Sequence, residues 1–134
     1  MNKIASKIIN IISIVAMGYF AIPKLLAKPM SVAGFEQFEN ALHINADFFR
    51  VFTGLAEISM VLLIIYFAIS QEVKIGIFAY AFLFITMITA LGLEFFARPE
   101  PKIPLVIIAI VLALFSVFQV FYLKTKFNFK ENKL

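Results

Sequence analysis

Cysteine is absent from this chain, and histidine occurs once, as His43. The first absence excludes disulfide chemistry, iron–sulfur ligation and cysteine-built zinc sites. The second excludes haem held by two histidines of one chain. With no nucleophile elbow either, no soluble-type catalytic triad is left. Charge is also scarce: Asp, Glu, Lys and Arg make up 15% of residues, against 63% hydrophobic and a mean hydropathy of +0.98. A soluble domain of 134 residues cannot hide that much apolar surface, because small domains leave a large share of their surface in water. No internal repeat and no low-complexity linker interrupts the chain.

What is present is a series of apolar runs long enough to cross a bilayer, which takes about 20 residues each. They read as spans over residues 4–22, 48–70, 75–97 and 103–123. Little chain remains beyond one substantial connection, so the expected fold is all-α. It is a four-transmembrane-helix bundle forming one integral membrane domain over residues 1–134. The first span is expected to be retained rather than cleaved as a signal peptide. Its apolar stretch continues to Pro23 without a small-residue cleavage site. Ser6, Asn10, Ser13, Met17 and Lys24 share one face of that helix by i, i+4, i+7 spacing, and its other faces suit lipid.

Pro23 and Pro29 bracket a break, after which Ser31 is the expected cap of a short amphipathic helix over residues 32–42. Val32, Phe35, Phe38 and Leu42 lie on its apolar side, and Glu36, Gln37, Glu39 and Asn40 on the other. Too short to span, it is expected at the membrane surface or folded over the bundle as a lid. Asn45 or Asp47 caps the second span. Residues 71–74 form a tight turn, and the two prolines of 98–102 make a stiff one. The tail, 124–134, follows the last span.

The net charge of +4 comes from lysines beside the spans, which suits lipid headgroups rather than nucleic acid. Seven cations (Lys3, Lys7, Lys74, Lys124, Lys126, Lys130, Lys133) fall on the side of the termini, and five (Lys24, Lys28, Arg50, Arg98, Lys102) on the other. That bias predicts both termini in the cytoplasm, and the membrane expected is the bacterial cytoplasmic (inner) membrane.

One carboxylate, Glu57, lies within the second span, about 14 Å from its start at 1.5 Å per residue. At bilayer depth an ionised group costs roughly 2.5 kcal/mol or more, so it faces other helices and needs a partner. Arg50, Gly54, Glu57 and Val61 share a face, and Gly54 lets a neighbouring helix approach. Alternating helix directions bring Lys24, Arg50, Glu94 and Arg98 to one end, above Glu57. These five are the candidates for binding a ligand or a proton. Ser13, Gly54, Thr86, Thr89, Ser116 and Gln119 are the candidate pocket lining. Two readings stand side by side: structural ion pairing, with Glu57 and Glu94 neutralised by Lys24, Arg50 or Arg98 and Lys24 an equal candidate with Arg50 as partner of Glu57, and a ligand or proton site. His43 reads as a loop residue, and no residue set points to a metal.

Three features in order resemble the DoxX-like superfamily of small four-helix membrane proteins. They are Gly18-Tyr-Phe-Ala-Ile-Pro-Lys24-Leu25 at the end of helix one, the Phe-rich Gly34-Phe-Glu-Gln-Phe segment, and Gly54-Leu-Ala-Glu57 in helix two. Lys24, Leu25, Gly54 and Glu57 are the positions that match the superfamily's pattern. Many members carry a histidine near the end of helix three. Here Leu91-Gly-Leu-Glu94-Phe-Phe-Ala-Arg98 has none, which tells against a mechanism needing a titrating imidazole there.

The resemblance implies a role near thiosulfate:quinone oxidoreductases, other quinone-linked or oxidative-stress complexes, or receptor-assembly chaperones. The expected function is a non-catalytic subunit or accessory factor of a membrane complex, with other membrane subunits as partners. A quinone is the one cofactor expected, and no metal or covalently attached group. The alternatives are a quinone-interacting oxidoreductase subunit, an assembly chaperone and a small carrier. Against a carrier, no inverted repeat or broken span of transporter type occurs.

Overall fold

Unbroken apolar runs form the long helices, because a backbone in hydrocarbon must satisfy its N–H and C=O groups within its own segment. A computed structural model describes residues 2–132. Its elements are α1 (Asn2–Leu25), α2 (Pro29–Leu42), α3 (Ala46–Ser70), α4 (Val73–Phe96) and α5 (Ile103–Asn132). All but α2 are long and apolar enough to cross a membrane. The chain is thus an all-α integral membrane protein with four candidate spans and a short helix between the first two.

The helix ends depart most from the sequence expectation in three places; α1, α3 and α4 also each begin two residues early, so that α4 takes in half of the expected 71–74 turn, and α4 ends one residue early. α1 runs through Pro23 to Leu25 instead of stopping at residue 22. Proline there forfeits one backbone bond, to the carbonyl of Tyr19, near a helix end with little helix beyond it. The break comes at Ala27, which takes a left-handed conformation with φ 54°. α2 begins at Pro29, not after a Ser31 cap: Lys28 is the N-cap, makes no side-chain cap bond, and is followed by proline at the first helical position. α5 continues past residue 123 to Asn132, so the tail is helical. No glycine or proline interrupts residues 105–134. Lys133 lies outside the described residues, and of Lys130 only the backbone is described.

The cap of α3 is Asn45, whose side chain accepts the Phe48 N–H at 2.9 Å, while Asp47 sits in the first turn. From Glu57 the buried face of α3 continues through Met60, Ile64 and Phe67, leaving Val61 half-buried. α1 packs chiefly on α3, and α4 on α5; α3 and α4 join the two pairs, and of the four neighbouring pairs of spans α1 and α5 are the most loosely joined. Gly76 lets α4 come close to its neighbours, since a Cβ there would stand 2.6 Å from Phe67 and 2.7 Å from Leu123. α2 folds over one end of the bundle instead of lying apart from it. Its Phe35 and Phe38 are buried with Ala46, Phe49, Leu93 and Ala97. The Phe35 ring stands nearly perpendicular to those of Phe38 and Phe49, with centroids 5.2 and 5.3 Å away. Leu42, placed by spacing on the same face, is instead 43% exposed.

Candidate functional site

Beneath α2 the spans leave a cavity of about 150 Å³. Its first polar element depends on a glycine. Leu25 seats against Gly54, where an added Cβ would come within 2.9 Å of the leucine side chain. That close approach brings the end of α1 against α3, and Lys24 Nζ reaches Glu57 Oε1 at 2.9 Å. Lys24 also donates to the Phe20 carbonyl at 3.1 Å, and its ammonium lies 5.5 Å from the Phe20 ring centroid. An ammonium has three N–H donors, and Lys24 lines the cavity. Glu57 is only 4% exposed, and Lys24 gives this in-span carboxylate its counter-charge.

Arg50 is buried but does not pair with Glu57 and does not line the cavity. Its guanidinium donates to the Lys24 carbonyl and lies 3.5 Å from the Asp47 carboxylate. The last carbonyls of a helix lack intrahelical donors and carry the negative end of its dipole, so a cation there fastens the end of α1.

A second pair closes the other side. Arg98 Nε is 2.9 Å from both oxygens of Glu94, one turn earlier on α4. Glu94 also accepts the Lys102 N–H at 3.1 Å, tying the stiff turn down. Arg98 reaches Gln37 on α2 at 3.2 Å and lies 4.8 Å from the Phe38 ring centroid. Gly34 makes room, since a Cβ there would stand 3.1 Å from that guanidinium.

Of the candidates, Lys24, Glu57, Glu94, Arg98, Thr86 and Thr89 line the cavity together. Thr86 and Thr89 donate their hydroxyl protons to the carbonyls of Phe82 (2.8 Å) and Ile85 (2.9 Å), so they offer the cavity only acceptor lone pairs. Sequence reasoning missed Phe20, Phe49 and Thr53 as lining; Thr53 had a signal, sitting one turn before Glu57 on the same face. His43 is an exposed, left-handed C-cap of α2.

Gly54, Ser13, Ser116 and Gln119 do not line the cavity. Leu25 fills the space beside Gly54. The other three are buried away from the cavity, and Gln119 belongs to a separate network nearer the terminal end of the bundle. There Tyr80 donates to Asn10 Oδ1 at 2.6 Å, and Gln119 Nε2 donates to Asn10 Oδ1 at 3.0 Å and to the Ser6 carbonyl at 3.2 Å. Ser116 donates to the Leu112 carbonyl at 2.7 Å. Ser13 is fully buried nearby, beside the Tyr80 hydroxyl. The polar face of α1 is continuous in sequence, but Met17, also fully buried, stands on it between Ser13 and Lys24 and divides it in two.

Among the described residues no group of three His, Cys, Asp or Glu side chains is placed to hold a metal ion. No family model, curated protein or solved structure matches the chain.

Proposed function

We propose that this protein is an accessory subunit of a membrane complex, and that its cavity holds the ring of a neutral, lipid-soluble compound of the quinone class. The observation that carries this reading is the Lys24–Glu57 pair, 2.9 Å apart, in the wall of a cavity otherwise rich in phenylalanine. Ligand sites are mostly apolar, with a few converging polar groups that fix orientation. Here Phe20, Phe35, Phe38 and Phe49 supply the apolar walls. The third N–H of Lys24 suits a ring carbonyl, and Glu57 and the threonine lone pairs suit a ring hydroxyl. Two cations and two carboxylates leave the wall without net charge, which favours a neutral guest. The volume, about 150 Å³, matches a cavity that takes one benzene-sized ring.

The chain has no cysteine and a single histidine for holding a redox centre, so electrons would come from a partner subunit. The resemblance to DoxX-like proteins agrees with that assignment. The cation bias supports termini in the cytoplasm and a cavity toward the outer leaflet, in what we take to be a bacterial cytoplasmic membrane. The test is purification from native membranes with mass analysis of co-isolated proteins and quinones, followed by titration with a short-chain benzoquinone. Co-isolation of a redox partner, and a tenfold or greater loss of affinity in Lys24→Met, are expected; a tenfold loss is about 1.4 kcal/mol. A wild-type protein that carries no quinone, binds none and joins no oxidoreductase would overturn the proposal.

A second reading, assembly scaffold, is favoured by the same pair's other effect. Lys24 and Arg50 together clamp α1 to α3. A partner retained at fixed ratio with no ligand in the cavity would select it.

A further inference from the structure

We infer that the ring reaches its cavity sideways from the bilayer, between α1 and α5, and that its ligand is therefore a membrane-dissolved molecule whose tail stays outside that seam. This rests on the ring-binding reading above. A cavity of about 150 Å³ has room for a ring and not for a long tail, so the tail must leave by some opening. α1 and α5 form the most thinly packed seam of the bundle. Beside the cavity that seam is walled by Phe20 on α1 and by Leu105 and Ala109 on α5.

Outside the same seam runs a lipid-facing groove lined by Ile11, Ile12, Val15, Ala16, Tyr19 and Ile108, together with Phe20. Among the described residues Phe20 is thus the one ring with the cavity on one side and the groove on the other. From Ile12 to Phe20 the groove follows α1 for about 12 Å at 1.5 Å per residue. Acyl chains are as apolar as these side chains, so a tail gains little by lying there. It also loses nothing, because it never has to cross water or enter the protein.

The way in from the aqueous end is obstructed. Phe35 and Phe38 of α2 cover the cavity, and Arg98 holds α2 through Gln37 and the Phe38 ring. At the opposite end of the seam, Gln119 binds Ser6 and Asn10 across α1 and α5. The two helices are therefore tied at one end and held mainly by apolar contact at the other, where Phe20 must swing for the ring to pass.

The absence of cysteine makes the test direct. Ala16→Cys and Ile108→Cys, both in the groove and neither in the cavity, are joined in liposome-reconstituted protein by a bis-methanethiosulfonate, which forms a reducible disulfide with each thiol and releases methanesulfinate. Association of decylbenzoquinone is followed by quenching of tyrosine fluorescence. The cross-link is expected to slow association at least tenfold, with recovery when the linker is cleaved. Ala16→Trp, which plugs the groove without a cross-link, should slow it likewise. Gln37→Ala, which loosens the α2 clasp, should leave the rate unchanged. Unchanged association in both the cross-linked and the tryptophan proteins, or faster association in Gln37→Ala, would overturn side access while leaving the cavity assignment intact. Failure of the unmodified protein to bind the quinone at all would overturn both.

Discussion

Lys24 and Glu57 meet at 2.9 Å across α1 and α3, although all of α2 lies between them in the chain. Removing one member of a buried ion pair leaves the other uncompensated, at a cost of about 3–5 kcal/mol, whereas replacing both with apolar groups is far milder. Lys24→Met should therefore lower the unfolding midpoint in detergent sharply. Lys24→Met combined with Glu57→Leu should recover most of the loss. A double-mutant cycle built on these variants is expected to return a coupling of at least about 1 kcal/mol; additive effects would mean the pair contributes nothing as a pair.

The Tyr80–Asn10–Gln119 network makes a graded prediction. Tyr80→Phe removes one donor but leaves Asn10 Oδ1 bonded to Gln119. The expected cost is about 0.6 kcal/mol, the average for hydrogen bonds between membrane helices, and no more than about 1.7 kcal/mol. Asn10→Ala removes the acceptor that Tyr80 and Gln119 share, leaving Gln119 only the Ser6 carbonyl, and should cost at least twice as much. Equal shifts in unfolding midpoint for the two variants would show that Asn10 does not join the helices in this way.

Two glycines on the long helices should answer oppositely to alanine. At Gly76 the new Cβ would meet the Phe67 ring at 2.6 Å and Leu123 at 2.7 Å, and overpacking of this kind costs about 1–3 kcal/mol. At Gly18 a Cβ meets nothing within 4 Å. Gly18→Ala should be neutral or stabilising by up to about 1 kcal/mol, from helix propensity alone. Thermal unfolding of the two variants separates close packing from propensity.

Arg98→Lys keeps the charge but loses the planar fork that serves Glu94, Gln37 and the Phe38 ring together. Amide exchange over residues 29–42 should speed up several-fold, while the cores of α3 and α4 stay protected. No change in α2 would mean its hold on the bundle comes from Phe35 and Phe38 alone.

Spans, turns and the amphipathic segment were legible in the sequence because each rests on a local rule. Apolar runs of sufficient length have no other stable form in lipid, Asn45 caps through its own neighbourhood, and the Phe35/Phe38 spacing marks a buried face. Helix ends were less legible, and Pro23 and residues 124–132 stayed helical against expectation. A proline is tolerated only where little helix lies beyond it, and a helix without a breaker runs on until another signal stops it.

The sequence by itself determined that Glu57 must sit inside a bundle and that cations stand near its end. Only the tertiary structure decided between them. Lys24 takes the carboxylate because Gly54 admits Leu25, and Arg50, two turns from Glu57 on its own helix, is drawn instead to the Lys24 carbonyl at the end of α1. The division of one polar stripe into a cavity wall and a separate inner network was likewise a tertiary outcome. Periodicity reports which face a side chain occupies, whereas which side chains fill the space opposite it depends on helices distant in the chain.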